Sequence, residues 1–192
     1  MSGDHARRFV SGGQWLGVLV ALAAGCAASV AATPSLEGAF GAGLFAITLA
    51  IAVIDWRSMI IPDWLNGSLL ALGLVQATYL ADESARSAAA LDALLRGMAL
   101  GGVLYLVRIL YRRLRAREGL GLGDVKLAGA GGVWVGWTML PVVIEIAALS
   151  ALAIFLVAPR LTGRQARWDA RLPFGSFLAP AFWVAWMIQA LG

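Results

Sequence analysis

Two aspartates stand out in this chain of 192 residues because each borders a long apolar run. Asp55 follows Ala50-Ile51-Ala52-Val53-Ile54, and Asp124 sits in Gly121-Leu122-Gly123-Asp124-Val125-Lys126 at the head of another run. Carboxylates at or within membrane helix ends are costly and are functional candidates by default. Where two helices bring such groups together, both do not ionise easily, and the pair shares a proton. A pair of that kind can do aspartyl-protease chemistry: the ionised carboxylate activates water while the protonated one polarises a carbonyl. The scheme needs no metal. His5 is the single histidine and Cys26 the single cysteine, so histidine triads, cysteine zinc sites and an internal disulfide framework are ruled out by inventory. The bland alternative is that each aspartate pairs with a nearby cation, Arg57 or Lys126.

Neighbouring residues suggest supporting parts. Gly121 and Gly123 would let the backbone turn sharply beside Asp124 and let an extended strand approach closely; equally, they would admit close helix packing. Lys126, the only lysine, could steady the Asp124 charge or bind a substrate carbonyl, or else anchor its span at the headgroups. Asp63 follows Pro62 where a span begins, and is expected to cap a helix N-terminus rather than act as a third acid. Glu118 could orient a positively charged segment, or pair with Arg115 or Arg117.

The elements that must position these residues follow from composition. Hydrophobic residues make up 60% of the chain and charged ones 14%, with a mean hydropathy of +0.81. A soluble domain of this size could not bury so much apolar surface. Seven runs approach the length of a bilayer span, at about 14–32, 38–54, 64–81, 91–111, 124–139, 141–158 and 172–191. The fold class expected is therefore all-α, a polytopic membrane protein in one domain over 1–192. The Ala24-Gly25-Cys26 stretch faintly resembles a lipoprotein cleavage site, but its run continues through Ala32, and a retained first helix is expected. The net charge of +4 is almost all arginine in short loops, which points to topology and lipid contact rather than nucleic acid. Thirteen of the fifteen Lys and Arg residues fall on one side of a seven-span arrangement, leaving only Arg86 and Arg96 on the other. The N-terminus is then cytoplasmic, and so are Asp55 and Asp124.

Three ordered segments resemble the type IV prepilin peptidase family. Asp55-Trp-Arg-Ser-Met-Ile-Ile-Pro-Asp63 is similar to its first aspartate segment, and Arg117-Glu-Gly-Leu-Gly-Leu-Gly-Asp-Val-Lys-Leu-Ala128 to its Gly-x-Gly-Asp segment. Leu172-Pro-Phe-Gly-Ser-Phe-Leu-Ala179 is similar to its C-terminal Pro-Phe-Gly segment. The likeness covers roughly 45–187. It implies a membrane aspartyl endopeptidase with Asp55 and Asp124 as the catalytic pair. Its substrate would be the leader and hydrophobic helix of a prepilin or type II secretion pseudopilin, cut at the cytoplasmic face of a bacterial inner membrane. Bifunctional members of that family also methylate the new N-terminus with S-adenosylmethionine and carry two Cys-x-x-Cys pairs between their first spans. Here Thr33 to Gly38 joins those spans without cysteines, so the resemblance is to a short form. Proteolysis would need no cofactor, and S-adenosylmethionine would be used only if methylation is retained. Rival readings are an ion- or proton-coupled transporter using the same aspartates and a non-catalytic secretion-assembly protein. A presenilin-like protease fits less well, because Asp55 follows Ile54 rather than a tyrosine.

Overall fold

The computed structural model describes residues 12–115, 119–162 and 173–192. Among these residues seven helices form, at the seven expected places: α1 (Gly12–Ala32), α2 (Leu36–Ser58), α3 (Asp63–Tyr79), α4 (Arg86–Arg115), α5 (Leu122–Gly132), α6 (Met139–Thr162) and α7 (Gly175–Leu191). A short 3-10 turn, Glu83–Ala85, leads into α4, and no strand occurs among the described residues. The chain is an all-helical membrane protein. Helices α1, α2, α4 and α6 are long and apolar enough to cross a bilayer, and α7 is a shorter apolar helix.

Helix ends explain where the aspartates fall. The Ser35 hydroxyl caps α2 by accepting from the Glu37 N–H at 3.2 Å. At the other end, Met59 takes a left-handed conformation (φ 53°) and its N–H returns to the Asp55 carbonyl at 2.8 Å. Asp55 is therefore inside the last turn of α2, not just beyond it, because helical hydrogen bonding continues past the first charge. Pro62 then suits the start of α3, since it lacks the N–H that a first turn leaves unpaired.

The fifth run departs most from its expected span. Helix α5 stops at Gly132 rather than near 139, so its eleven residues rise only about 17 Å, short of a hydrocarbon core of about 30 Å. Gly131 and Gly132 favour helix poorly, and the turn that follows is held from three sides. Arg96 donates to the Val135 carbonyl at 2.6 Å, the Gly136 N–H donates to Gln189 Oε1 at 2.9 Å, and Trp137 Nε1 donates to Asp92 Oδ1 at 2.9 Å. A fourth bond, from Trp134 Nε1 to the Leu69 carbonyl at 2.9 Å, ties the end of α5 to α3.

Packing places α7 against α2, α5 and α6, while α5 also touches α3 and α4. In a bilayer, close packing rather than escape from water drives such contacts. Gly41 on α2 receives the Trp186 indole and Gly131 on α5 receives the Phe182 ring, both from α7. Leu44, Ile51, Leu127 and Leu178 are wholly buried around them. These contacts fix the start of α7 between the end of α2 and the start of α5.

Candidate active site

Asp55 and Asp124 meet at the N-terminus of α7. A Cβ placed on Gly175 would lie 2.9 Å from Asp55 Oδ2 and 3.0 Å from Asp124 Oδ1, so those two oxygens are within about 6 Å of each other, the sum of the two distances. Both aspartates are buried, at 4% and 9% exposure. Among the described residues neither has an ion-pair partner. The cations expected as alternatives are engaged elsewhere. The Arg57 guanidinium stacks on the Trp15 ring at 4.9 Å, and Lys126 Nζ pairs with Asp63 at 2.7 Å.

Backbone and hydroxyl donors hold the carboxylates instead, as burial of a charged group requires. Asp55 Oδ2 accepts from the Ser176 N–H at 2.8 Å and lies 3.1 Å from the Ser176 hydroxyl. Asp124 is the third residue of α5, and its Oδ2 turns back to accept from the Gly121 N–H at 3.1 Å. One oxygen of Asp124 is thus used in capping its own helix, while the other faces Asp55. Ile61, in the loop between α2 and α3, closes the apolar side of the pair: its Cδ1 would lie 2.6 Å from a Cβ on Gly175. Beside Asp55 a cleft of about 280 Å³ opens between α2 and the start of α7, lined by Ala52, Val53, Trp56, Arg57 and Ser176.

The residues singled out from sequence sort into three groups. Asp55, Asp124 and Gly121 come together, and Gly123 joins them through Ile61, which a Cβ at that position would touch at 3.4 Å. The sharp turn expected of the glycines is absent. Gly121 has an ordinary extended backbone (φ −69°, ψ 149°), and its missing side chain matters because a Cβ would stand 3.1 Å from Asp124 Oδ2. Asp63 and Lys126 pair with each other, on the far side of α5. Asp63 makes no side-chain cap, since Pro62 occupies the cap position and Lys126 holds both carboxylate oxygens. Glu118 lies outside the described residues. Among them, no group of three or more His, Cys, Asp or Glu side chains is placed to hold a metal ion.

Gly175 and Ser176 were not singled out individually. The signal was the Pro-Phe-Gly segment itself, whose position 121 residues from Asp55 hid the contact.

Residues 42–156, which contain both aspartates and end before Gly175, match the Type IV leader peptidase family. The chain belongs to that family. Among its relatives in the family, the prepilin leader peptidase/N-methyltransferase of Burkholderia pseudomallei is 40% identical over 161 residues, covering 83% of this chain and 48% of the relative. The protein of the same name from Escherichia coli is 36% identical over 165 residues, covering 84% and 68% respectively. That of Pseudomonas aeruginosa is 35% identical over 138 residues, covering 71% and 45%. The chain thus spans about half the length of the first and third of these family members. No solved structure matches it.

Proposed function

We propose that this membrane protein is an aspartyl endopeptidase that removes the leader of type IV prepilins or type II secretion pseudopilins, with Asp55 and Asp124 as its catalytic pair. The observation that carries the reading is the meeting of two buried carboxylates across Gly175, with no cation between them among the described residues. Two carboxylates so close share one proton. The ionised one takes a proton from water as its oxygen attacks the scissile carbonyl carbon, and the protonated one hydrogen-bonds the carbonyl oxygen as negative charge develops there. The resulting tetrahedral centre breaks its C–N bond, and the departing amine takes up a proton from the pair.

The site lies near helix ends, so a substrate helix within the bilayer can deliver its charged end without a deep pore. The cleft beside Asp55 and Ser176 is the entrance we assign to it. Arginine clustering supports a cytoplasmic placement of this end of the bundle, in a bacterial inner membrane. The transporter reading of the same aspartates draws no support from the family match.

The relatives' names include N-methyltransferase, which would call for S-adenosylmethionine. The Thr33 to Gly38 connection between the first two helices carries no cysteine, unlike that of the bifunctional members the chain resembles, and the activity we propose is proteolysis alone.

Co-expression with a prepilin and measurement of leader removal by mass tests the assignment. Asp55→Asn and Asp124→Asn are each expected to slow cleavage by about 10³-fold or more, at the upper part of the range for an acid–base group, with membrane insertion unchanged. Normal processing by either variant sinks it.

A further inference from the structure

Arg108 stands inside the apolar part of α4, with Leu106 and Val107 on one side and Ile109 and Leu110 on the other, a full turn before Arg112. A cation within such a run is costly and calls for a partner. Its Nε donates to the Leu120 carbonyl at 3.1 Å. Three residues on, on the same face of α4, the Tyr111 ring lies against Gly119, where a Cβ would stand 2.6 Å from the ring's Cδ1 and Cε1. Two side chains of α4 thus grip the two residues that precede Gly121.

That grip reaches Asp124 through a single peptide group. The Leu120 carbonyl and the Gly121 N–H belong to one planar trans peptide and point in opposite directions. Arg108 holds the oxygen of this peptide, while its N–H donates to Asp124 Oδ2 at 3.1 Å. Fixing the carbonyl therefore fixes the direction of the donor. The start of α5 needs a hold from outside. Helices commonly begin with Ser, Thr, Asp or Asn, whose side chain bonds the first turn, but the cap position here is Gly121, which makes no side-chain cap. Glycines at 119, 121 and 123 leave the backbone many other conformations. A capping side chain at 121 would crowd the carboxylate, because its Cβ would stand 3.1 Å from Asp124 Oδ2. A cation on the carbonyl also polarises the peptide, which strengthens its N–H as a donor to an ionised carboxylate.

We propose that Arg108 is a positioning residue for Asp124, acting through the Leu120–Gly121 peptide, with Tyr111 steadying the same segment. It keeps Oδ2 on the Gly121 N–H and so leaves Oδ1 turned toward Asp55. The inference rests on the reading of Asp124 as one of the catalytic pair.

Steady-state cleavage of a prepilin by the full chain in detergent, followed as leader removal by mass, tests it. Arg108→Met, of similar length but without a donor, is expected to lower kcat about tenfold to a hundredfold, the range for one hydrogen bond to a charged group. Its KM should stay within about twofold of wild type, since ground-state binding is untouched. Arg108→Lys keeps a cation and a donor, and should bring kcat back to within about fivefold of wild type. Hydrogen exchange in Arg108→Met should rise in the 119–123 segment while the helices keep their protection. Arg112→Met should leave both constants unchanged. An unaltered kcat in Arg108→Met, a loss confined to KM, or a lysine variant as slow as the methionine one overturns the proposal. So does an equal loss in Arg112→Met, which would be an effect of charge at this end of the bundle. If Arg108→Met does not fold, Arg108→Gln takes its place as a shorter, neutral donor, and a kcat matching that of Arg108→Lys overturns the proposal. Asp124→Asn run alongside separates the two readings. Normal cleavage by that variant removes the catalytic pair and this inference together, whereas its inactivity beside a fully active Arg108→Met removes the role of Arg108 alone.

Discussion

Ser176 has one hydroxyl hydrogen and two acceptors at equal range, Asp55 Oδ2 and the Ala52 carbonyl, each 3.1 Å away. It can donate to Asp55 when that carboxylate is ionised. When Asp55 is protonated, it can accept from it and donate to Ala52 instead, as a hydroxyl serves both roles. A carboxylate that exchanges its proton during turnover keeps its position under either condition. On the proposed mechanism Ser176 is thus a positioning residue, and its backbone N–H supplies a second hold that substitution spares. Ser176→Ala is expected to lower kcat about tenfold to a hundredfold, the equivalent of one hydrogen bond to a charged group, with KM little changed and Thr restoring most of the loss. An unaltered kcat would reduce Ser176 to a packing role. Gly175 permits no such gradation. A methyl there would press on Asp55, Asp124 and Ile61 together, so Gly175→Ala is expected to cut leader cleavage about a hundredfold or more, even where circular dichroism shows the helices intact. The two aspartates were legible from sequence because each borders an apolar run; Ser176 and Gly175 act through a tertiary contact that no local pattern displays.

At the scale of elements, hydropathy located the seven helices of the described residues but misjudged their ends. A hydropathy run fades where charges gather, while a helix stops where its hydrogen bonds do. Helix α2 therefore reaches Ser58 rather than 54, and α4 covers Arg86–Arg115 rather than 91–111. The reverse error occurred at α5, where apolar residues continue but the helix ends, because Val133 to Thr138 is a turn fastened by side chains from distant helices. Those fasteners, Asp92, Arg96 and Gln189, read in sequence only as polar residues near span ends. Arg96 bears most of this role, since it binds both the Val135 carbonyl and Asp92, the latter at 3.0 Å, while its own side chain is 14% exposed. Arg96→Ala is expected to destabilise the protein by about 1.5–3 kcal/mol, the loss of a charged hydrogen bond to a half-buried carbonyl, seen as a lower Tm in detergent. Hydrogen exchange should rise first in the 133–138 turn. A uniform rise across all helices would mean that the turn is not held separately.

For the molecule as a whole, charge and chemistry gather at one end. Arg57 closes α2, Arg112, Arg113 and Arg115 close α4, and Lys126 lies in the first turns of α5, bonded to Asp63 at the head of α3. The alternation of loop charges that predicted this grouping is a long-range pattern, so it was readable without knowing any contact. The direction we propose on that ground turns this end to the cytoplasm, where a prepilin leader would meet the aspartates. Helix α4 suits a test of that direction, because its thirty residues extend about 45 Å, beyond a hydrocarbon core of about 30 Å, leaving both ends accessible. Cys26 is the only native cysteine, so Cys26→Ser provides a clean background for labelling. In intact spheroplasts a membrane-impermeant maleimide is expected to label Glu83→Cys, at the outer approach to α4, and to reach Arg113→Cys only after the membrane is opened. The opposite pattern would place the aspartates on the outer face. It would exclude cleavage of prepilins from the cytoplasm while leaving the carboxylate pair chemically competent, so orientation and mechanism stand or fall by separate measurements.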